Sequence, residues 1–570
     1  MDESSVRQVA IKQALTNAYR HGGTADPRAV IGAVLGELPH LRSRAKEIIP
    51  LIEAATAEIN SLSQDTQATK LEADYPAMLA QLTGKKEERR NLPKLDDAKQ
   101  GKVITRFPPE PNGYPHIGHA KAVILNYRYA KMYSGKLILR FDDTNPGQEK
   151  IEYYEAIASG LDWLGIKPDL VKNTSDDVEK IYGLAKRMID LGHFYVCECN
   201  QATIKENRAR GKECEHRGMG IGWSQDHWDS LFSSYQENEA VVRFSGHMKD
   251  PNTALRDPTM LRIIGHSHPL TGNKYRLWPT YDLASPLEDS MDGVTHALRS
   301  KEYELRDELY YRILDALEMR KPRLIEFARL TLRGTPVSKR ILKSFIEEGW
   351  VDGWDDPRLP TLLGLKRRGI VPEAIGEFVQ GMGISKSESE PTWDLLQSIN
   401  RKIIDQVTKR YLFVGDPVKL VVENAPSLSV ILKHHPDNDL GQREVETRGR
   451  FYISKADVEM FKDGEIIRLM ELFNFQLTKR GGTLGGTFAG VENIHGIKKI
   501  HWVPEDAVKF EVRIPGPLFK GEIRNEDTME IVKGLGEPKT RLLRKGERIQ
   551  FVRFGFCMVE REGVAILTHK

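Results

Sequence analysis

A chain of 570 residues is too long for one core, and 40% hydrophobic with 29% charged side chains is the composition of an ordinary soluble protein. No run approaches the roughly 20 apolar residues of a membrane helix. Four cysteines exclude a disulfide framework, so a reducing, cytoplasmic setting is expected, and a net charge of +3 neither demands nor excludes nucleic acid. Domain sizes predict three to five units. The start, "MDESSVRQVAIKQALTNAYRHGG", is acidic at once and lacks the apolar centre of a secretory signal. The basic clusters at 84–90, 365–369 and 541–548 read singly as solvated faces.

Residues 1 to about 100 read as helices, with apolar residues at helical spacing and a glycine stop after the first. The stretch 84–101, charged and poor in apolar residues, reads as a linker. "GKVITRF" is then a strand, "AKAVILNYRYAKMYSG" a helix ending at Gly135, and "KLILRFDDT" a strand closing on Asp142 and Asp143. Strand, loop, helix, strand is a βαβ unit, hence a parallel sheet. Ligands sit at the carboxyl ends of such strands, which puts Phe107–Pro115 and Asp142 on one rim. Residues 176–279 mix helices, a cysteine-bearing segment and short strands, and sheet texture is expected again at "YRLWPTYDLASPLED", 275–289. From 341 to 410 the chain reads helical; from 411 onward, short strands with glycine and proline turns predict one or two β-barrels.

The stretch "RFPPEPNGYPHIGHAKAV", 106–123, carries the chemistry. A helix N-terminus has unsatisfied N–H groups and about +0.5 of an elementary charge, so it suits phosphate. Gly113 and Gly118 permit close approach, and the prolines stiffen the loop without needing N–H partners. His116 and His119, three apart at the helix entrance, lie on one face and can donate to a polyphosphate. Alone, such a pair would be a cap and a packed residue.

With its context, this stretch resembles the HIGH signature of class I aminoacyl-tRNA synthetases. About 220 residues later, "TPVSKRILK" at 335–343 resembles their second signature, KMSKS, with Pro336 and Val337 departing from it and Ser338 and Lys339 retained. "LRFDDTNP", "PTYDLASPLEDSMDGVTHALRSKEY" and "EFARLTLRG" are similar to the glutamate/glutamine branch, and the first 100 residues resemble the N-terminal extension of archaeal-type glutamyl-tRNA synthetases. The resemblance implies a Rossmann-like, parallel-sheet α/β catalytic domain in halves at 101–195 and 280–345. It implies an inserted acceptor-arm domain at 196–279, a helical N-terminal extension and linker at 1–100, a helical connection at 346–410 and a β-barrel anticodon-binding region at 411–570.

It further implies ATP-dependent adenylation of an amino acid, with Mg²⁺, and transfer to the terminal ribose of tRNA. His116, His119 and Lys339 are then the expected catalytic residues. ATP is expected against Glu110, Pro111, Asn112, Gly113, His116, Gly118, His119, Arg329, Leu330, Ser338, Lys339 and Arg340. A glutamate side chain needs a fixed cation, and Arg106 and Arg299 fall where the family places side-chain contacts, with Tyr281 offering a hydroxyl and Asp142 taking the α-ammonium. Arg299 favours L-glutamate over glutamine, because a glutamine site would leave that cation unpaired. The expected partners are tRNA-Glu, tRNA-Gln for a non-discriminating member, and an RNA or protein partner of the N-terminal extension.

Cys197, Cys199, Cys214 and His216 offer three thiolates and an imidazole to a structural Zn²⁺, although each pair is spaced more tightly than Cys-x-x-Cys. Free thiols beside a surface histidine are the plain alternative. The competing functions are a glutamine–tRNA ligase, a small-molecule nucleotidylyltransferase and an inactive RNA-binding or scaffold protein.

Overall fold

The computed structural model describes residues 3–20, 23–38, 41, 44–76, 78, 79, 92–336, 338–388, 390–480, 483–521 and 523–570. The basic cluster at 84–90 and Val337 lie outside the described residues. The chain divides into two compact units, 1–93 and 94–570.

The first unit is helical, as its periodicity predicts. Helices Glu3–Arg20, Pro27–Glu37, Ala45–Asn60 and Gln64–Asp74 surround a core that includes Ala10, Ala14, Val30, Val34, Ile48 and Ile52. Asp26 caps the second helix by accepting from Arg28 N–H, and Pro27 takes the first turn, where its missing N–H costs nothing.

The second unit begins earlier than the linker reading expects. Leu95 N–H donates to the Tyr133 hydroxyl at 2.9 Å, Gly101 N–H to the Tyr133 carbonyl at 2.7 Å, and His296 Nε2 lies 2.9 Å from the Asp96 carbonyl. Residues 95–101 are thus docked on the parallel sheet, and their charged side chains are the solvent face of a packed segment rather than a free tether.

Strands β1 (Ile104–Phe107), β2 (Lys136–Phe141) and β3 (Leu170–Asn173) form a parallel sheet, with Arg106 opposite Ile138 and Ile138 opposite Leu170. The crossover is the helix Ile117–Met132. Beyond the other edge of β1, Ile104 N–H donates to Thr295 Oγ1 and Thr295 N–H to the Ile104 carbonyl, both at 2.9 Å. Thr295 leads into β8 (His296–Ser300), which pairs in parallel with β9 (Arg323–Phe327). The chain therefore leaves β1 for β2 on one side and meets β8 on the other, a topological switch point of the kind that opens a crevice at the strand ends.

An antiparallel sheet of β4 (Phe194–Cys197), β5 (Val241–Phe244), β6 (Thr259–Ile263) and β7 (Leu277–Pro279) is inserted between the halves. At 275–289 the expectation of sheet is corrected: only β7 is strand, and Tyr281–Met291 is helix despite Pro286. Leu283 and Leu287, one turn apart, are buried in the same core, and that spacing outweighs the strand-like residues before it.

Helices Lys339–Glu347, Leu362–Arg368, Pro372–Met382 and Trp393–Ile404 follow. The strand-rich remainder forms two seven-stranded near-barrel sheets, one from residues 409–415 and 508–569, the other from 417–504. Gln442–Thr447, in a hairpin beside them, buries every second side chain, as a half-covered strand should.

Candidate active site

A cavity of about 440 Å³ opens at the switch point, floored by the ends of β1 and β8. It brings together Arg106, Glu110, Asn112, His116, Gly118, His119, Asp142, Tyr281, Arg299, Arg329 and Leu330 from segments more than 200 residues apart. Its shape depends on a strap: Ile117 N–H donates to the Pro360 carbonyl at 2.9 Å, and Leu362 N–H to the Pro115 carbonyl at 2.8 Å. That clamp fixes where the helix Ile117–Met132 begins.

At that helix start, His116 is the N-cap and shares a capping box with His119. Gly118 N–H donates to His116 Nδ1 at 3.0 Å, and His116 N–H to His119 Nδ1 at 3.2 Å. A nitrogen that accepts carries no proton, so each ring holds its proton on Nε2 and is a donor there. Burial holds both imidazoles neutral, His119 down to about 4, and the nearby Arg329 cation adds to it. A Cβ on Gly118 would stand 2.8 Å from His116 Cε1, so the cap requires glycine here. Capping and packing thus describe Nδ1 alone and leave Nε2 for a ligand.

Arg106 is fully buried. Its Nε donates to Asp289 Oδ1 at 2.9 Å and its Nη1 to the Leu298 carbonyl at 2.7 Å, while Nη2 is buried with no partner. Asp289 also accepts from Arg140 Nη2 at 2.7 Å and from the Tyr310 hydroxyl at 3.0 Å. Burial opposes its charge, and the two guanidiniums outweigh that and hold the carboxyl below its usual range. An orphaned, charged donor in a crevice wall is costly unless a ligand takes it.

Asp142 is the counterpart. Its Oδ1 is buried without a partner. Burial pushes its carboxyl up to about 7, with Glu110, Asp143 and Glu149 adding to the rise and Arg140 opposing it. Tyr281 packs at a tilt against Tyr303, ring centres 4.6 Å apart. Arg299 lines the same cavity but is already engaged: its Nη2 pairs with Asp307, and its Nε, 3.9 Å from Glu326, makes no hydrogen bond. It is therefore a fixed cation with Nη2 engaged and Nε open.

Gly113 and Lys339 lie outside the cavity lining: the stem of Lys339 faces Gly113, and its Nζ sits 5.4 Å over the Tyr153 ring. Burial lowers its ammonium pKa, and Glu110 opposes that. Ser338 is the N-cap of the helix Lys339–Glu347, and Arg340 is exposed on it. Arg329 pairs with Glu302 at 2.6 Å. The Pro111 carbonyl accepts from Lys150 N–H at 3.3 Å, outside the cavity wall.

Sequence reasoning missed Arg262, Tyr303, Thr144 and Asn145 in the lining, and Asp289 beneath it. Asp289 left one signal: Ser285, Glu288 and Asp289 are polar at core spacing on the helix Tyr281–Met291, and all three are buried.

In the inserted sheet, Cys197, Cys199, Cys214 and His216 offer ligand atoms that all lie within 4.8 Å of one another. Cys197 Sγ and Cys214 Sγ are 3.8 Å apart, and Cys199 Sγ and His216 Nδ1 are 3.7 Å apart. Tetrahedral Zn–S bonds of about 2.3 Å set sulfur atoms about 3.8 Å apart, so the four side chains fit zinc. A cluster of carboxylates among the described residues, Asp177, Glu288 and Asp292, is filled by the Lys172 ammonium.

The family profile described as "tRNA synthetases class I (E and Q), catalytic domain" matches residues 102–406. Two "tRNA synthetases class I (E and Q), anti-codon binding domain" profiles match 408–488 and 499–560. The chain is 48% identical to a protein of Nitrosopumilus maritimus named glutamate–tRNA ligase, over 100% of both chains. It is 44% identical to one so named from Cenarchaeum symbiosum, over 99% of this chain and 100% of the other. A third, from Pyrococcus abyssi, is 43% identical over the same shares.

Proposed function

Because the chain belongs to the class I tRNA synthetases of the glutamate and glutamine branch, we propose the reaction of a glutamate–tRNA ligase for this site. L-Glutamate is activated with ATP to glutamyl-adenylate and transferred to the 3′ end of tRNA-Glu. The observation that carries the choice of glutamate is the unpartnered Nη2 of the buried Arg106, facing the same cavity as the unpartnered Oδ1 of Asp142. One takes a side-chain carboxylate and the other an α-ammonium. A glutamine side chain offers Arg106 a neutral oxygen, and its amide NH₂ adds donors to a wall that needs an acceptor.

In the first step an α-carboxylate oxygen of glutamate attacks the α-phosphorus of ATP, which enters as its Mg²⁺ complex. The bond to the bridging oxygen breaks and pyrophosphate leaves. The Nε2–H groups of His116 and His119 and the Lys339 ammonium donate to the phosphate oxygens as charge develops on them. Glu110 and Asn112 line the nucleotide from one side, with Gly118, Arg329 and Leu330 around it, while Pro111, Gly113, Ser338 and Arg340 border that lining from outside. In the second step a hydroxyl of the terminal tRNA ribose attacks the adenylate carbonyl and AMP leaves. Arg299 joins the carboxylate site through its Nε, with Asp307 already on its Nη2, and Tyr281 gives the substrate a ring wall.

Zinc held by Cys197, Cys199, Cys214 and His216 is structural, since it ties both ends of the 197–216 segment to one point. A cytoplasmic place of action goes with a substrate of translation. An RNA or protein partner of residues 1–93 is part of the same reading, supported by their separate core.

Aminoacylation with labelled glutamate and labelled glutamine, each against tRNA-Glu and tRNA-Gln, tests this. Glutamate on tRNA-Glu is expected, and glutamate on tRNA-Gln as well for a non-discriminating enzyme. Preferential charging of glutamine would overturn the reading of Arg106.

A further inference from the structure

The loop after β2, residues 142–149, carries Asp142 into the cavity and is gripped from outside by the inserted sheet. His268 lies in the β6–β7 connection, where it and Gly272 exchange backbone hydrogen bonds at 2.9 Å. The ring is buried and stacked on Trp278, centres 4.9 Å apart. Its Nδ1 accepts from Leu270 N–H and Thr271 N–H, both at 3.1 Å, so its proton is on Nε2. That Nε2 donates to the Asp143 carbonyl at 3.2 Å, with Asp143 Oδ2 at 3.4 Å and Glu149 Oε2 at 3.2 Å around it.

Asp143 and Glu149 lie near the two ends of the loop; Asp143 ties it to the elements beside it, and Glu149 ties it to itself. Asp143 accepts from Ser175 N–H at 2.8 Å, Ser175 Oγ at 2.7 Å and the Tyr154 hydroxyl at 3.0 Å. Glu149 Oε1 accepts from Asn145 N–H at 2.6 Å. The side chains of His268, Asp143 and Glu149 are all buried, so water cannot replace a contact that one of them loses.

We propose that His268 is a positioning residue for the amino-acid end of the site, a clasp through which the inserted domain sets where Asp142 stands in the cavity. The ring does two jobs with two nitrogens: Nδ1 shapes its own turn, and Nε2 reaches another domain half. The inference rests on the reading of Asp142 as the partner of the substrate ammonium.

The two jobs separate by substitution. Asparagine places an amide oxygen where Nδ1 accepts, so His268→Asn keeps the turn and loses the reach. Glutamine places an amide N–H near Nε2, so His268→Gln keeps the reach. In aminoacylation of tRNA-Glu, His268→Asn is expected to raise KM for glutamate about tenfold, the scale of one charge-assisted hydrogen bond, with KM for ATP held within about twofold. His268→Gln is expected to recover most of that loss. Glu149→Gln, which leaves the turn untouched, is expected to show the same split in KM and decides the matter if the histidine variants do not fold. Normal glutamate KM in His268→Asn or in folded Glu149→Gln, equal rises in both KM values, or no recovery in His268→Gln would each overturn the clasp. Wild-type protein that charges no glutamate would instead overturn the reading of the site and the inference with it.

Discussion

Gly113 faces the stem of Lys339, although 226 positions separate them: a Cβ on Gly113 would stand 3.2 Å from Lys339 Cδ and 3.4 Å from its Cγ and Cε. The two signature segments therefore face each other with no room for a further methyl group, and the glycine's missing side chain leaves the slot in which the lysine stem lies. Gly113→Ala should move that stem by a few tenths of an ångström. We expect kcat for adenylation to fall about tenfold, short of the roughly hundredfold that a full ångström costs. The melting temperature should hold, because Gly113 is not in the left-handed region. Single-turnover adenylate formation measures this, and an unchanged rate would show that the slot is idle.

Asp289 holds two buried guanidiniums at once. Asp289→Ala leaves Arg106 and Arg140 facing each other across a void, and losing one partner of a buried pair costs about 3–5 kcal/mol. A large drop in denaturation midpoint is expected, with Asp289→Asn intermediate because the amide oxygen still accepts. A midpoint equal to wild type for Asp289→Ala would mean that the arginines find other partners.

The carboxyl of Asp142 is pushed up to about 7, chiefly by burial. An ammonium needs the charged form. Below about pH 7 the free enzyme carries the proton, which must leave before glutamate binds. So kcat/KM for glutamate should fall as pH drops through 7, approaching tenfold per unit, while kcat at saturating glutamate falls less. Burial keeps His116 and His119 neutral there, His119 titrating only near 4, so that limb does not belong to them. Asp142→Asn should give a low, flat profile; a limb that survives in this variant would assign it elsewhere.

Arg299 is balanced by Asp307 and lies near Glu326. Removing it does more than subtract a cation, since it leaves those carboxylates turned toward the substrate's own. Arg299→Ala is expected to raise KM for glutamate about hundredfold, and adding Asp307→Ala should recover part of it, a coupling read from the double-mutant cycle. Additive effects would show that the pair is not coupled.

Metal analysis should find about one zinc per chain, as a Cys₃His site requires. Cys197→Ser should lose the metal and loosen the inserted sheet to proteolysis. A metal-free protein that resists protease as well as wild type would remove zinc from the fold.

Much of this site was legible as linear text. His116 and His119 stand three apart in the chain, and a helix that starts there must present its amide groups whatever surrounds it. The four candidate zinc ligands fall in two tight pairs, and glycine and proline turns mark off the late strands. These are local facts, set by neighbours a few residues away. The helix at Tyr281–Met291 was misread because Leu283 and Leu287 are buried by strands and helices that the local text does not contain.

The sequence by itself thus determined the kinds of element, their order and the presence of the two family signatures. Only the tertiary structure decided what each charge is free to do. Arg106 and Arg299 are the same residue type and both are buried, yet their partners differ: Asp289 and the Leu298 carbonyl leave Arg106 its Nη2 open, while Asp307 takes the Nη2 of Arg299 and leaves its Nε. Those partners come from distant segments, and a charge's availability depends on which of them the fold brings within about 3 Å.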